Sequence, residues 1–168
     1  MTWINYLILA AIISIWLMLL LNVTLIVAGY VYYIRSERYK IPKLKKFPMV
    51  SVLVPMHNEE AVIGRTMESL LHFNYPEDFY EIIVINDNST DNSVEVLKTV
   101  QAAYPHRKIR LVSTDATTSG SGKSNTLNTG LKHCTGQYVV VYDADNTPEK
   151  DALYNLTAEI SSNEKLGA

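Results

Sequence analysis

The chain is poor in cysteine and in net charge, and one long stretch of it has no charge at all. Its 168 residues contain a single cysteine, Cys134, which excludes an internal disulfide and any cysteine-based metal spacing. That thiol reads as a core or surface group in a reducing compartment. Lysine and arginine number 15 against 17 aspartates and glutamates, a formal net charge of -2, so no global positive field argues for a nucleic-acid partner. Tryptophan occurs only at Trp3 and Trp16, nothing repeats, and no segment is of low complexity.

The local absence says more. From Tyr6 to Ile34 no residue is charged and Leu, Ile, Val and Ala dominate, a run longer than the ~20 residues that a membrane-spanning helix needs. No lysine or arginine precedes it and it ends in Tyr30, Tyr32 and Tyr33. These features suit an anchor with interface aromatics better than a cleaved signal peptide. Arg35, Arg38, Lys40, Lys43, Lys45 and Lys46 follow, opposed only by Glu37. Positive charge beside a span favours the cytoplasmic side. The expectation is therefore a protein of the cell membrane, held in the lipid bilayer, with its N-terminus outside and its soluble part in the cytoplasm. Residues 1–34 would be the anchor, 35–48 a basic linker broken by Pro42 and Pro48, and 49–168 the soluble part.

In that soluble part, short apolar runs alternate with helical spacing. Strands are expected at Val50–Pro55, Tyr80–Ile85, Lys108–Ser113 and Tyr138–Tyr142. Helices are expected around Val62–Leu71, Val94–Val100 and Ser124–His133. Such alternation implies an α/β fold with a parallel sheet, right-handed crossovers and a Rossmann-like strand order 3-2-1-4. The polar clusters His57–Glu60, Asp87–Asp91, Gly120–Ser124 and Asp143–Asp145 each follow the carboxyl end of a strand. Four loops would thus converge on the edge where such sheets bind ligands.

The stretch QYVVVYDADNTPEKDAL, Gln137 to Leu153, organises the rest. Its apolar run reads as a fully buried strand, and alternation along an extended chain would aim Asp143 and Asp145 to one side, Cα atoms roughly 7 Å apart. Two carboxylates at close range repel by about 4 kcal/mol at roughly 4 Å for an effective dielectric near 20. They therefore call for a cation, and Mg2+ or Mn2+ suits hard oxygen donors shared with phosphate. Thr147 and Pro148 read as N-cap and first position of a following helix, with Glu149 in its first turn.

PMHNEE, INDNSTD, GKSNTLNTG and YDADN, in that order and spacing, resemble the donor-binding half of family 2 glycosyltransferases with the GT-A fold. The resemblance runs from about Pro48 to the end. It is nearest to membrane-anchored processive polysaccharide synthases of the poly-N-acetylglucosamine, hyaluronan and cellulose type. It implies an inverting, metal-dependent transfer of a sugar from a UDP-sugar donor to a growing polysaccharide. Carried over by position, it implies Pro55 and His57 near the uracil, Glu59 at its polar edge, and Asp87 accepting from the ring. It also implies Lys123 at the nucleotide or its phosphates, Asp143 at the ribose or metal, and Asp145 at the metal. Asn86 and Asn88 stand where the family's Asp-Asp-Gly-Ser has Asp and Gly; Asn88 tolerates the left-handed turn that Gly would make. The family's general base, a later carboxylate followed by Gln-x-x-Arg-Trp, has no counterpart, so the chain reads as a donor-binding fragment without a catalytic base.

Three other readings attach to these residues. GSGKS resembles a nucleotide-triphosphate P-loop, whose first glycine would have to stand at Thr117. YDADNT fits the Asp-x-Asp-x-Thr of haloacid-dehalogenase-type phosphatases, with Asp143 as nucleophile and Asp145 as acid. The third is a catalytically inactive, membrane-tethered fragment that binds a nucleotide sugar.

Overall fold

The computed structural model describes residues 2–37, 40–114 and 122–162. The chain divides into two units, Met1–Ile41 and Pro42–Ala168. The first consists of α1 (Trp3–Glu37), a helix apolar on all sides. At about 1.5 Å per residue it exceeds the ~30 Å hydrocarbon core of a bilayer. It is the one helix among the described residues long and apolar enough to cross a membrane. Its polar side chains turn back on the helix: Ser14 Oγ, Asn22 Nδ2 and Thr24 Oγ1 each donate at 2.8 Å to the carbonyl four residues earlier. Bonds of this kind satisfy polar groups where water is absent.

The second unit is built on β1 (Val50–Met56), β2 (Tyr80–Asn86), β3 (Ile109–Ser113) and β4 (Tyr138–Val141). Between them lie α2 (Ile63–Leu71), α3 (Ser93–Ala103) and α4 (Lys123–Leu131), and α5 (Ala152–Ser162) follows. A 3-10 turn, Glu77–Phe79, which the sequence pattern does not announce, leads into β2. All strand pairs are parallel and the order is β3-β2-β1-β4, the order that the alternating pattern predicts.

Strand alternation divides the core in two. Val50, Val52, Val54, Tyr80, Ile82 and Val84 pack with Ile63, Met67 and Leu70 of α2, Leu97 of α3 and Leu153 of α5. Leu53, Ile83 and Ile85 face the other way, with Leu127 of α4 and Cys134 packed against them. Each fully buried aliphatic side chain contributes about 1.5–3 kcal/mol, so the first layer dominates stability. Gly130 lets α4 lie close to the sheet, since a Cβ there would stand 2.6 Å from Ile85.

Glu81 closes the amino-terminal end of the second face. It is buried, and its Oε1 accepts from Ser51 Oγ at 2.7 Å and from Thr135 N and Oγ1 at 2.7 and 2.8 Å. Its Oε2 faces Arg110 at 3.1 Å. Burial pushes this carboxyl up, but the Ser51 and Thr135 hydrogen bonds and the Arg110 charge together bring it below the usual range.

Two expectations about the Gln137–Leu153 stretch fail. Tyr138–Tyr142 is not a fully buried strand: β4 ends at Val141 and lies at the sheet edge, with Val139 and Val141 40% and 44% exposed. α4 packs over β1 and β2, and among the described residues β4 pairs only with β1, so an apolar run here has one covered face. Nor does a helix start at Pro148. α5 begins at Ala152, because the preceding backbone is held by the α2–β2 connection: Asn74 N donates to Lys150 O at 2.8 Å and Asn74 Nδ2 to Asp151 Oδ1 at 2.7 Å. Smaller shifts affect the other elements. α2 starts at Ile63, leaving Glu59 and Glu60 in the loop, and α4 starts at Lys123.

Candidate functional site

β1 and β4 are neighbours, and the loops beyond their carboxyl ends flank a crevice. A cavity of about 440 Å³ lies there. Pro55 and Met56 reach it from the end of β1, with His57 and Glu59 from the loop beyond. Asp87 enters directly after β2, Lys123 and Thr126 come from the first turn of α4, and Asp143, Ala144 and Asp145 follow β4. All seven residues singled out from the sequence line this one cavity. Gly120 and Ser121, part of the expected Gly120–Ser124 cluster, and Thr117, on which the P-loop comparison turns, lie outside the described residues.

One wall is tightly cross-linked. Asp87 Oδ1 accepts from Thr114 Oγ1 at 2.9 Å and Oδ2 from Thr126 Oγ1 at 3.0 Å, which fixes the carboxylate plane. His57 Nδ1 sits 2.6 Å from the Asp87 carbonyl, and Asp87 N donates to Met56 O at 2.8 Å. The loops after β1 and β2 then clasp each other. Asn58 N donates to Ser89 Oγ (3.1 Å), Glu59 N to Ser93 Oγ (2.8 Å) and Glu60 N to Asp91 Oδ2 (3.0 Å). In return Thr90 N donates to Asn58 Oδ1 at 2.8 Å and Asn92 N to Glu60 Oε2 at 2.9 Å. Burial alone would raise the Asp91 carboxyl, but hydrogen bonds from Ser93 and the Glu60 N–H hold it below its usual range.

Both loops turn through left-handed backbone, at Asn58 (φ 55°) and Asn88 (φ 57°). Asparagine is among the few side chains that accept that region. The Asn88 turn agrees with the sequence reading; the Asn58 turn went unforeseen. Asn86 Oδ1 accepts from Ser89 N at 3.0 Å and tightens the same turn.

The opposite wall is held more simply. Lys123 Nζ is ion-paired with Asp143 Oδ1, and both side chains are more than half exposed. Asp143 and Asp145 do not owe their common direction to strand alternation, because β4 has already ended and the chain turns, Asn146 N donating to Asp143 O at 3.0 Å. The turn itself brings both to the cavity. Ala144 is buried and its carbonyl accepts from Thr66 Oγ1 of α2 at 2.6 Å, which pins the turn between the two aspartates.

Thr126, Thr114 and Thr66 are the residues that sequence reasoning missed. Thr126 could have been found as the residue one helical turn beyond the polar start of α4. Thr114 and Thr66 carry no comparable signal, because their partners are distant in sequence.

Two carboxylates on one cavity wall suit a divalent cation. Among the described residues, however, no group of three or more His, Cys, Asp or Glu side chains could hold a metal by itself. The donor set therefore fits Mg2+ or Mn2+ when a bound diphosphate completes the shell with its own oxygens.

Comparison with known proteins agrees with this architecture. Residues 51–168 match the family model for glycosyl transferase family 2. The chain is 43% identical over 92% of its length to the probable glycosyltransferase YdaM of Bacillus subtilis. It is 35% identical over 82% to a beta-monoglucosyldiacylglycerol synthase of Nostoc, and 34% over 71% to the poly-beta-1,6-N-acetyl-D-glucosamine synthase of Staphylococcus epidermidis. It spans 37%, 29% and 27% of those three relatives.

Among solved structures, the mannosyltransferase PcManGT of Pyrobaculum calidifontis, in complex with GDP-Man and Mn2+, superposes with a TM-score of 0.67 at 29% identity. That match covers 85% of this chain and 43% of the other. S. aureus TarS 1-349 in complex with UDP-GlcNAc gives 0.59 at 26% identity, covering 69% and 32%. The chain belongs to glycosyltransferase family 2 and has the nucleotide-binding architecture of the GT-A fold. That membership sets aside the phosphatase reading of YDADNT.

Proposed function

We propose that this chain supplies the donor-binding part of an inverting, metal-dependent glycosyltransferase that moves a sugar from a UDP-sugar to a growing polysaccharide at the membrane. The observation that carries it is the convergence of Pro55, His57, Glu59, Asp87, Lys123, Asp143 and Asp145 on one cavity. A carboxylate offers about four lone-pair sites. Asp87, held in plane by Thr114 and Thr126, accepts from the uracil ring N–H. Pro55 and His57 flank the base, and Glu59 meets its polar edge. Lys123 would exchange Asp143 for diphosphate oxygens, and Asp143 and Asp145 would hold the divalent ion, with Asp143 also in reach of the ribose.

When bound, that ion supplies charge stabilisation to the departing nucleoside diphosphate. The chain's own part is to orient the donor and to place a cation, Lys123, where negative charge develops. The attacking hydroxyl also needs a general base, and none of the residues assigned here has that role.

The anchor reading gives α1 the membrane, with the basic segment and the second unit on the cytoplasmic side. The relative that makes beta-monoglucosyldiacylglycerol supports a second reading of the acceptor, a diacylglycerol lipid in place of a polysaccharide.

Calorimetry on the full chain tests the donor site. UDP should bind in Mg2+ or Mn2+, bind more tightly than ADP or GDP, and lose on the order of 100-fold in affinity with chelator or in Asp145→Asn. Equal affinity for the three nucleotides would overturn the uridine assignment, and affinity indifferent to chelator would overturn the metal assignment.

A further inference from the structure

The second unit has another cavity, remote in chemistry from the first. It is an open groove of about 860 Å³ between residues 42–48, the start of β4 and the end of α5. Lys43, Lys45 and Lys46 line it together with Gln137, Ser161 and Ser162, and no acidic residue among the described residues does. The first cavity is the opposite case, with Glu59, Asp87, Asp143 and Asp145 set against Lys123.

The lysine segment is seated, not trailing. Leu44 packs on the core and its N–H donates to Tyr154 Oη at 3.4 Å. Phe47 meets the Tyr75 ring edge-on at 5.2 Å, and Tyr75 Oη donates to Pro48 O at 2.7 Å. Leu44 and Phe47 thus fasten the backbone, while Lys43, Lys45 and Lys46 are exposed and have no ion pair or hydrogen bond among the described residues. Three exposed ammonium groups on a fixed backbone, beside a neutral amide and the Ser161 hydroxyl, suit a phosphate-type anion. The groove also offers apolar surface from Leu44, Phe47 and Ala158, which a free inorganic anion would not use.

We propose that this groove binds the headgroup of an anionic phospholipid, the phosphodiester on the lysines and the glycerol end against the apolar wall. The proposal rests on the reading of α1 as a membrane span: Lys43 comes six positions after Glu37, the last residue of α1. Basic residues directly beyond a span meet the anionic lipid surface and are attracted to it. The groove gives that attraction a defined seat. The lipid would then steady the first strand, since β1 starts two residues after Pro48.

The test uses the full chain in mild detergent with equimolar phosphatidylglycerol and phosphatidylcholine, the bound lipid being counted by native mass spectrometry. The wild type should retain phosphatidylglycerol in excess by on the order of tenfold, and the combined Lys43→Gln, Lys45→Gln, Lys46→Gln variant should retain the two lipids about equally. A Lys98→Gln, Lys132→Gln control should keep the preference. Equal retention by the wild type overturns the proposal whatever the variants do, so a variant that fails to fold leaves it decidable. Displacement of the lipid by millimolar inorganic phosphate, but not by chloride of matched ionic strength, would show a free-phosphate site and overturn it as well. Membrane attachment is scored separately: release of the chain from cell membranes by alkaline carbonate would refute the span itself. Retention in the membrane without lipid preference would refute only the groove.

Discussion

The two walls of the acidic cavity are built differently. The wall carrying Asp87 is braced by reciprocal hydrogen bonds between the loops after β1 and β2, and two threonines fix its carboxylate. Among the described residues, the wall carrying Asp143 and Asp145 is held by an exposed ion pair to Lys123, a turn closed on the Asp143 carbonyl and the pinned Ala144 carbonyl. Rigid donors and acceptors suit a ligand part whose shape never changes, such as a nucleobase, because preorganisation lowers the entropy lost on binding. A lysine that can leave its aspartate suits the part where charge arrives and departs. The braced wall therefore reads as the selective one and the exposed wall as the responsive one.

Mutations should separate the walls by their effect on stability, with the far end of the same sheet as reference. The largest loss is expected at that far end. Glu81→Ala leaves Ser51, Thr135 and Arg110 without their shared acceptor and should destabilise the fold by about 3 kcal/mol in urea unfolding. The folded carboxyl titrates below its ordinary 4.5. Its stabilisation is therefore present above that pH and is lost as the pH falls through the lower folded value. The wild type should weaken in that acid range, and Glu81→Gln should show a flatter dependence there. An unchanged acid profile would remove Glu81 as a source of pH sensitivity.

Asp87→Ala comes next. It strips the acceptor from Thr114 and Thr126, and two lost hydrogen bonds at roughly 1 kcal/mol each predict about 2 kcal/mol. UDP binding should vanish from calorimetry in the same variant. Ser93→Ala removes the hydroxyl that holds Glu59 N and should cost about 1 kcal/mol. It should also blur the preference for UDP over GDP if the clasp shapes the base pocket, and preserved selectivity would show that it does not.

Lys123→Gln should be the smallest effect on the fold, under about 0.5 kcal/mol, because exposed ion pairs contribute little. Its UDP affinity in Mn2+ should nevertheless fall on the order of tenfold, the gain from a charge-assisted contact to phosphate. A large stability loss with unchanged UDP affinity would reverse the contrast between the walls.

Strand order and the identity of the cavity-lining residues were legible because both follow from local pattern. Alternating apolar runs specify parallel βαβ units, and polar residues after each strand must fall on the carboxyl edge. The long uncharged run likewise announces α1 through length and composition alone. The fate of Gln137–Leu153 was not legible. Whether an apolar strand is covered on one face or two depends on which helices pack over it, and here α4 leaves Val139 and Val141 exposed. Where α5 begins depends on Asn74, some seventy-five residues earlier in the chain, engaging Lys150 and Asp151.

By itself, then, the sequence determined the order of elements, the acidic fork and the basic segment, since these rest on neighbours along the chain. Only the tertiary structure decided that a turn, not a strand, aims Asp143 and Asp145 into the cavity. It alone set Thr114 and Thr126 on Asp87 and seated three lysines around a second groove. Thr66 on the Ala144 carbonyl within that turn, the two threonines on Asp87 and Leu44 on Tyr154 all join residues far apart in sequence, and such contacts form only when the sheet has brought its loops together.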